Sequence, residues 1–269
     1  MATNTVYPNK VIEAKAKDIL TTQINARSMM TIDTSLTQNA GMVKTINTYT
    51  YTGAAEEVAA GSGNSTRGSI AYVGKDYTVK MVQQAFDYLD EDFMKDPVIV
   101  DYGIKGATSV MTNDMTSKFY AALATKNGAT ELVKGITFAK GKALSYDVIV
   151  DAISELNLED ESKIFIVIPN TWKASLRKDP DYKSALMGEV IYNGQVGTVC
   201  GIPVIATKAL TDKAYVMTNE AVTLFLKKDV EVEQERDADK RKNSVYLRSC
   251  YVCALRDATK ACKITEATA

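Results

Sequence analysis

Apolar residues recur at Val100, Ile104, Ala107, Met111, Met115, Phe119 and Ala122. Gaps of three and four place all of them on one face of a helix. Asp96 can cap that helix with its side-chain oxygen. Pro97 suits the first helical position, where a missing N–H costs nothing. Asn127-Gly128 supplies a stop, because Gly tolerates the left-handed conformation that ends a helix. The pattern predicts a helix over 97–127, roughly 45 Å long at about 1.5 Å per residue. Gly103 and Gly106 lower its propensity, so packing against other elements must hold its middle. It reads as a spine for the rest of the chain.

Before the spine, the period changes. Val43, Thr45, Asn47, Tyr49 and Tyr51 alternate with Lys44, Ile46, Thr48 and Thr50, and a second run from Ile70 to Val82 alternates through Tyr72, Tyr77, Val79 and Met81. Period two predicts strands. The segment between them, GAAEEVAAGSGNSTRGS, is small and polar, so the pair reads as a long hairpin with a mobile tip near Gly61 to Gly68. A two-stranded hairpin alone is marginal in water, which points to a partner for it to lie on. Residues 1–40 read as an arm: Asn9 can cap a helix through Val11, Ile12, Ile19, Leu20 and Ile24, and after Met29-Met30 the chain turns Thr-rich. Residues 86–95, FDYLDEDFMK, read as a solvated acidic turn between hairpin and spine.

After the spine, 129–220 reads as α/β. Ser145 can cap a helix with Val148, Ile149, Ala152, Ile153 and Leu156 on one face. Lys163 to Ile168 is a continuous apolar run, as in a strand buried on both sides. Thr171 to Arg177 is a short helix, Gly188 to Gly201 reads as turns and short strands, and buried strands follow at Ile202 to Ala206 and Ala214 to Met217. From 221 the chain returns to β. Acids at Asp229, Glu231, Glu233, Glu235, Asp237 and Asp239 would share one face of a strand. At roughly 6.5 to 7 Å apart they would repel one another. Lys240-Arg241-Lys242 follows and can supply the opposite charge, from the same chain or another copy. Calcium is a rival for the ladder, but its ligands must converge and a flat ladder does not. A last strand, Val245 to Leu255, carries Cys250 and Cys253 on opposite faces, so this CxxC cannot chelate.

The totals remove several classes of function. The chain has 269 residues, 46% hydrophobic and 24% charged, enough for one large domain or two smaller ones. With 32 basic and 33 acidic residues its net charge is −1, which argues against gripping nucleic acid over a wide face and permits self-association. It has no histidine, the commonest general base and metal ligand, so zinc hydrolases, serine triads and papain-like dyads are disfavoured. Its four cysteines suggest no disulfide framework. The opening residues lack a signal-peptide pattern, and no apolar stretch approaches the ~20 residues of a membrane span. GSGNSTRG lacks the GxxxxGK[ST] spacing of a phosphate loop. An enzyme would have to rely on carboxylates such as Asp87, Asp90 or Asp147, with no partner group in view.

The order of arm, hairpin, spine helix, α/β portion and returning β element resembles the major capsid proteins of tailed bacteriophages, the Hong Kong 97 lineage whose fold encapsulins share. IFIVIPNTWKASLR and GTVCGIPVIAT are similar to segments of that family's axial domain, and VYLRSCYVCALRDATKACKIT resembles its last peripheral strands. The resemblance implies an α+β, Hong Kong 97-like capsid fold: an N-terminal arm at 1–40, an extended loop at 41–85, a peripheral domain at 86–138 and 221–269, and an axial domain at 139–220. It implies a structural protein, not an enzyme, that assembles into pentamers and hexamers of an icosahedral head around double-stranded DNA contacted non-specifically. Portal and scaffolding proteins would be its other partners. It would use no cofactor or metal, and would assemble in the bacterial cytoplasm and reside in the virion. The extended loop would lie over a neighbouring subunit. Candidates for contacts between copies are Gly61, Asn64 and Arg67 at the hairpin tip, with Glu231, Glu233, Glu235, Lys240, Arg241 and Lys242. The arm is short for a cleaved scaffolding segment, so scaffolding would come from another chain or be absent. Lys44, Lys75 and Lys80 lie near the hairpin, with no basis for assigning a crosslink. The alternatives are an encapsulin-type compartment or another phage structural protein such as a tail component.

Overall fold

A computed structural model describes residues 11–16, 26–127, 129–161, 163–181 and 197–267. Residues 11–16 are helical (α1), and α2 (Asp90–Lys95), α3 (Ile99–Leu123), α4 (Tyr146–Glu155) and α5 (Lys173–Lys178) follow. Helix α3 is the spine. All seven residues of its apolar repeat are buried. Its first half, from Val100 to Met111, packs with Ile12 and Ala16 of α1, Tyr88, Val230, Val232, Val245 and Leu247. Its second half, from Met115 to Leu123, packs with Met29, Met30, Leu224, Tyr251, Val167 and Tyr215. Thr108 and Thr112 are buried on the helix, and each donates its hydroxyl to the carbonyl four residues back, at 2.7 and 3.0 Å. Those bonds satisfy groups that would otherwise be costly to bury.

The helix is shorter than 97–127. Asp96 does not cap the helix, whose N-cap is Val98 without a side-chain bond; its Oδ1 instead accepts from the Val98 N–H at 3.0 Å, within the turn that leads in. Pro97 sits in the entry turn, because the first helical residue is Ile99. At the other end Thr125 donates its hydroxyl to Ala122 O at 2.6 Å, and Lys126–Asn127 (β5) turns back to pair with Thr130–Glu131 (β6). Asn127 is therefore a strand residue, and Gly128 lies outside the described residues.

Two sheets meet at the far end of the spine. The first has four strands in the order β1 (Thr31–Asp33), β12 (Val222–Asp237), β13 (Lys242–Leu255) and β4 (Lys80–Leu89), with β1 parallel to β12 and the other pairs antiparallel. The second has six, in the order β7 (Lys134–Phe138), β14 (Ala261–Glu266), β11 (Lys213–Thr218), β8 (Ile164–Pro169), β10 (Ile202–Thr207) and β9 (Thr198–Val199). Strand β8 is the continuous apolar run, and strands on both sides plus layers on both faces account for its lack of alternation. One face of this sheet meets the end of α3; the other carries α4 and α5 over Ile166, Ile168, Val216 and Ile264. Cys200 and Gly201 join β9 to β10 with φ of 52° and 78°, the two-residue turn that matches strand twist. Ser145 occupies the N-cap of α4 without a side-chain cap bond; Asp179 takes the role, accepting from the Tyr146 N–H at 2.6 Å.

Three expectations change. The run Ile70 to Val82 is not one strand: β3 (Ser69–Thr78) pairs with β2 (Val43–Thr52), while β4 joins the four-stranded sheet. The break is at Val79, buried at the base of the hairpin, its N–H donated to Met42 O at 2.7 Å. FDYLDEDFMK is no solvated turn but the end of β4 followed by α2. Residues 26–40 are also built in, since Met29 and Met30 lie in the main core and Leu36 lies under the hairpin. Asn9, Ile19, Leu20, Ile24 and residues 182–196 fall outside the described residues.

Candidate assembly surface

The hairpin β2–β3 pairs in full register from Val43↔Thr78 to Thr52↔Ser69. Its base is fixed. Tyr77 stacks on Phe225 with ring centroids 6.3 Å apart and donates its hydroxyl to Leu255 O at 3.0 Å. Leu36, Val79, Cys250 and Ala254 fill the space below. Beyond the base no other strand pairs with it among the described residues. Tyr51, Ile70 and Tyr72 are 67%, 70% and 69% exposed, and the register puts all three on one face. A second apolar exposure follows the spine. Tyr102 and Val110 lie eight residues apart on its outer side with Gly106 between them, and Val98 and Met94 are exposed just ahead.

The tip, residues 53–68, holds Gly61, Asn64 and Arg67, all exposed. Gly61 has φ +87 in a turn closed by the Ser62 N–H to Ala59 O at 3.0 Å, a position that favours glycine. The centre of the tip is Glu56, which the sequence reading passed over. Its carboxylate accepts from the Ser65 N–H at 2.9 Å, the Thr66 N–H and hydroxyl both at 3.0 Å, and the Ser65 hydroxyl. The Ser65 hydroxyl, then the Thr66 N–H and hydroxyl, bring its pKa down to about 2.

The acidic ladder is interrupted. Two register shifts between Leu226 and Glu231 take Asp229 out of line, toward Arg27 at 3.5 Å, and Asp239 falls in the turn after β12. Glu231, Glu233 and Glu235 remain on one face, each with its own partner: Lys228 at 2.6 Å, Arg248 at 2.6 Å and the Tyr246 hydroxyl at 3.3 Å. Of the basic run, Lys240 stays with the ladder's own Asp237, while Arg241 and Lys242 turn elsewhere. Lys240 meets Asp237 at 3.6 Å, Arg241 meets Glu91 at 3.0 Å, and Lys242 meets Asp87 at 2.6 Å. Arg236 and Asn243 hold Asp90 at 2.8 and 2.6 Å. The structure thus joins Arg241 and Lys242 to the acids of FDYLDED at one end of the four-stranded sheet, and leaves Gly61, Asn64 and Arg67 on a different element. The complementary charge of the two runs was the sequence signal for this pairing.

These bonds bear on chemistry. Hydrogen bonds from Lys242 and Ser244 lower the pKa of Asp87, and those from Arg236 and Asn243 lower that of Asp90. A lowered pKa makes a poor general base near neutrality. Asp147 sits exposed in the first turn of α4. Among the described residues no three His, Cys, Asp or Glu side chains are placed to hold a metal ion, and no helix is long and apolar enough to cross a membrane. Cys250 packs under the hairpin and Cys253 against the main core, on opposite faces of β13 as the spacing implied.

No protein-family model matches the chain. The major capsid protein of Staphylococcus phage phiMR11 is 24% identical over 274 residues, 98% of this chain and 94% of that protein. Among solved structures, the capsid of cyanophage P-SCSP1u superposes with a TM-score of 0.67 at 12% identity, over 90% of this chain and 87% of the other. The virus-like particle from Pyrococcus furiosus gives 0.62 at 10% identity, over 95% and 98%. The α+β fold is that of phage capsid subunits and of this particle, as the order of elements in the sequence implied.

Proposed function

We propose that this chain is the structural subunit of a phage head, a protein that assembles with copies of itself into a closed shell. The observation that carries this is the hairpin: two strands, anchored at their base among the described residues, with Tyr51, Ile70 and Tyr72 exposed on one face. Such a face is stable in water only when something covers it. A second copy is the occupant, and the exposed Tyr102 and Val110 on the spine offer it an apolar bed. The correspondence with a major capsid protein along nearly the whole chain supports the same reading. The role is structural rather than catalytic.

The finer reading keeps the expected plan. Pentamers and hexamers close an icosahedral head around double-stranded DNA, with portal and scaffolding partners, assembled in the bacterial cytoplasm. Residues 1–40 serve as arm and 41–85 as extended loop. The region of the spine and four-stranded sheet, 86–138 and 221–269, serves as peripheral domain, and 139–220 as axial domain. Because β4 begins at Lys80 and joins the four-stranded sheet, the part of the loop that stands off that sheet is β2–β3 and its tip. Glu231, Glu233, Glu235, Lys240, Arg241 and Lys242 lie where neighbouring peripheral domains meet, and Gly61, Asn64 and Arg67 where the tip meets its neighbour.

Replacing Tyr51, Ile70 and Tyr72 together by Ser tests the reading. The variant subunit keeps its circular dichroism, because these side chains are mostly exposed, but fails to form shells. Shells at the wild-type protein concentration would sink it. The fold is shared with a virus-like particle, so a compartment enclosing something other than a phage genome is the alternative. The nucleic acid or protein content of purified shells separates the two.

A further inference from the structure

We propose that the hairpin tip is a preformed knob, shaped by Glu56, and that it docks on a second copy of this chain as a rigid body; Glu56 is a positioning residue for assembly. The proposal rests on the reading of the hairpin as an arm between copies. The composition of residues 53–68, with Gly53, Gly61, Gly63 and Gly68, predicts a loop that samples many conformations. The structure instead ties it at four levels. At the neck, the Thr52 and Ser69 hydroxyls bond at 2.8 Å. Just beyond, the Tyr51 ring lies over both Gly53 and Gly68: a Cβ added at either would come within 2.5 or 2.3 Å of its hydroxyl oxygen. In the middle, the Glu56 carboxylate gathers two successive N–H groups and two hydroxyls from Ser65 and Thr66. At the apex, Gly61 closes a tight turn.

One carboxylate against two consecutive amides is an anion-in-nest arrangement. Here the anion belongs to the same loop, so it fixes shape and recruits nothing. An ordered loop loses less conformational entropy when it docks, which strengthens association without adding a contact. The Tyr51 ring links the two functions, since it closes the neck and belongs to the exposed apolar face. The partner is a second copy because Tyr51 belongs both to the neck of the knob and to the exposed apolar face that a copy covers in the proposed shell.

Two variants test this: Glu56→Gln, and Ser65→Ala with Thr66→Ala. Amide hydrogen exchange at Ser65 and Thr66 is measured on unassembled subunits. Shell yield against protein concentration is measured by light scattering, with a scaffold present if the wild type needs one. The expected result is several-fold faster exchange confined to the tip, unchanged thermal unfolding of the subunit, and a several-fold higher concentration for shell formation. Unchanged exchange would overturn the knob. Faster exchange with wild-type assembly would overturn its role in docking. The Tyr51, Ile70 and Tyr72 serine variant separates that failure from failure of the hairpin reading: if it too assembles normally, the arm itself makes no essential contact and the proposal falls with it.

Discussion

Gly103 and Gly106 lie three residues apart on α3 and carry opposite predictions. A Cβ at Gly103 would sit 2.3 Å from the Phe86 ring, which packs over the helix there, whereas one at Gly106 meets nothing within 4 Å. Gly103→Ala is expected to destabilise the subunit by about 1–3 kcal/mol through overpacking. Gly106→Ala is expected to stabilise it by about 0.5–1 kcal/mol through helix propensity. Chemical denaturation of both variants checks this, and equal effects would contradict the packing at Gly103. The sequence placed both glycines in a helix, but Phe86, the reason for one of them, lies on a strand whose approach no local pattern encodes. Glu56 adds a prediction in pH. Its pKa is lowered from 4.5 to about 2 by the ordered tip, so tip protection is present above about 4.5 and is lost as pH falls toward 2. A tip whose exchange, corrected for intrinsic rates, stays flat over that range would contradict the carboxylate's role.

At the scale of elements, the charged end of the four-stranded sheet is the clearest case of partial legibility. Alternation announced β12 and the last strand, and a run of acids beside a run of bases announced a pairing. What could not be read was the partner. The bulges that remove Asp229 from the ladder depend on how β12 bends against β13. The pairing of Lys242 with Asp87 depends on β4 lying next to β13. The same ignorance of sheet order hid the break at Val79, because β3 and β4 share one period-two pattern while belonging to different sheets. The spine's buried face was legible because a single helix carries its own period. Changing Lys240, Arg241 and Lys242 together to Ala removes three ion pairs that are exposed and screened. Subunit unfolding should shift little, while shells should open at clearly lower temperature or salt. Unchanged shell stability would remove this end of the sheet from the assembly surface.

The whole molecule joins a spine that bridges two sheets to a hairpin with which, beyond its base, no other strand pairs among the described residues. Near-zero net charge leaves little repulsion between copies, and in the proposed reading the exposed apolar faces of hairpin and spine supply the attraction. Neither property suits a protein that works alone. The most direct test is electron microscopy in negative stain of the purified chain after size-exclusion chromatography, with and without a co-expressed scaffold. Closed shells, or rings of five and six subunits, are the predicted result. A monodisperse monomer that stays monomeric at high concentration under both conditions would contradict the account.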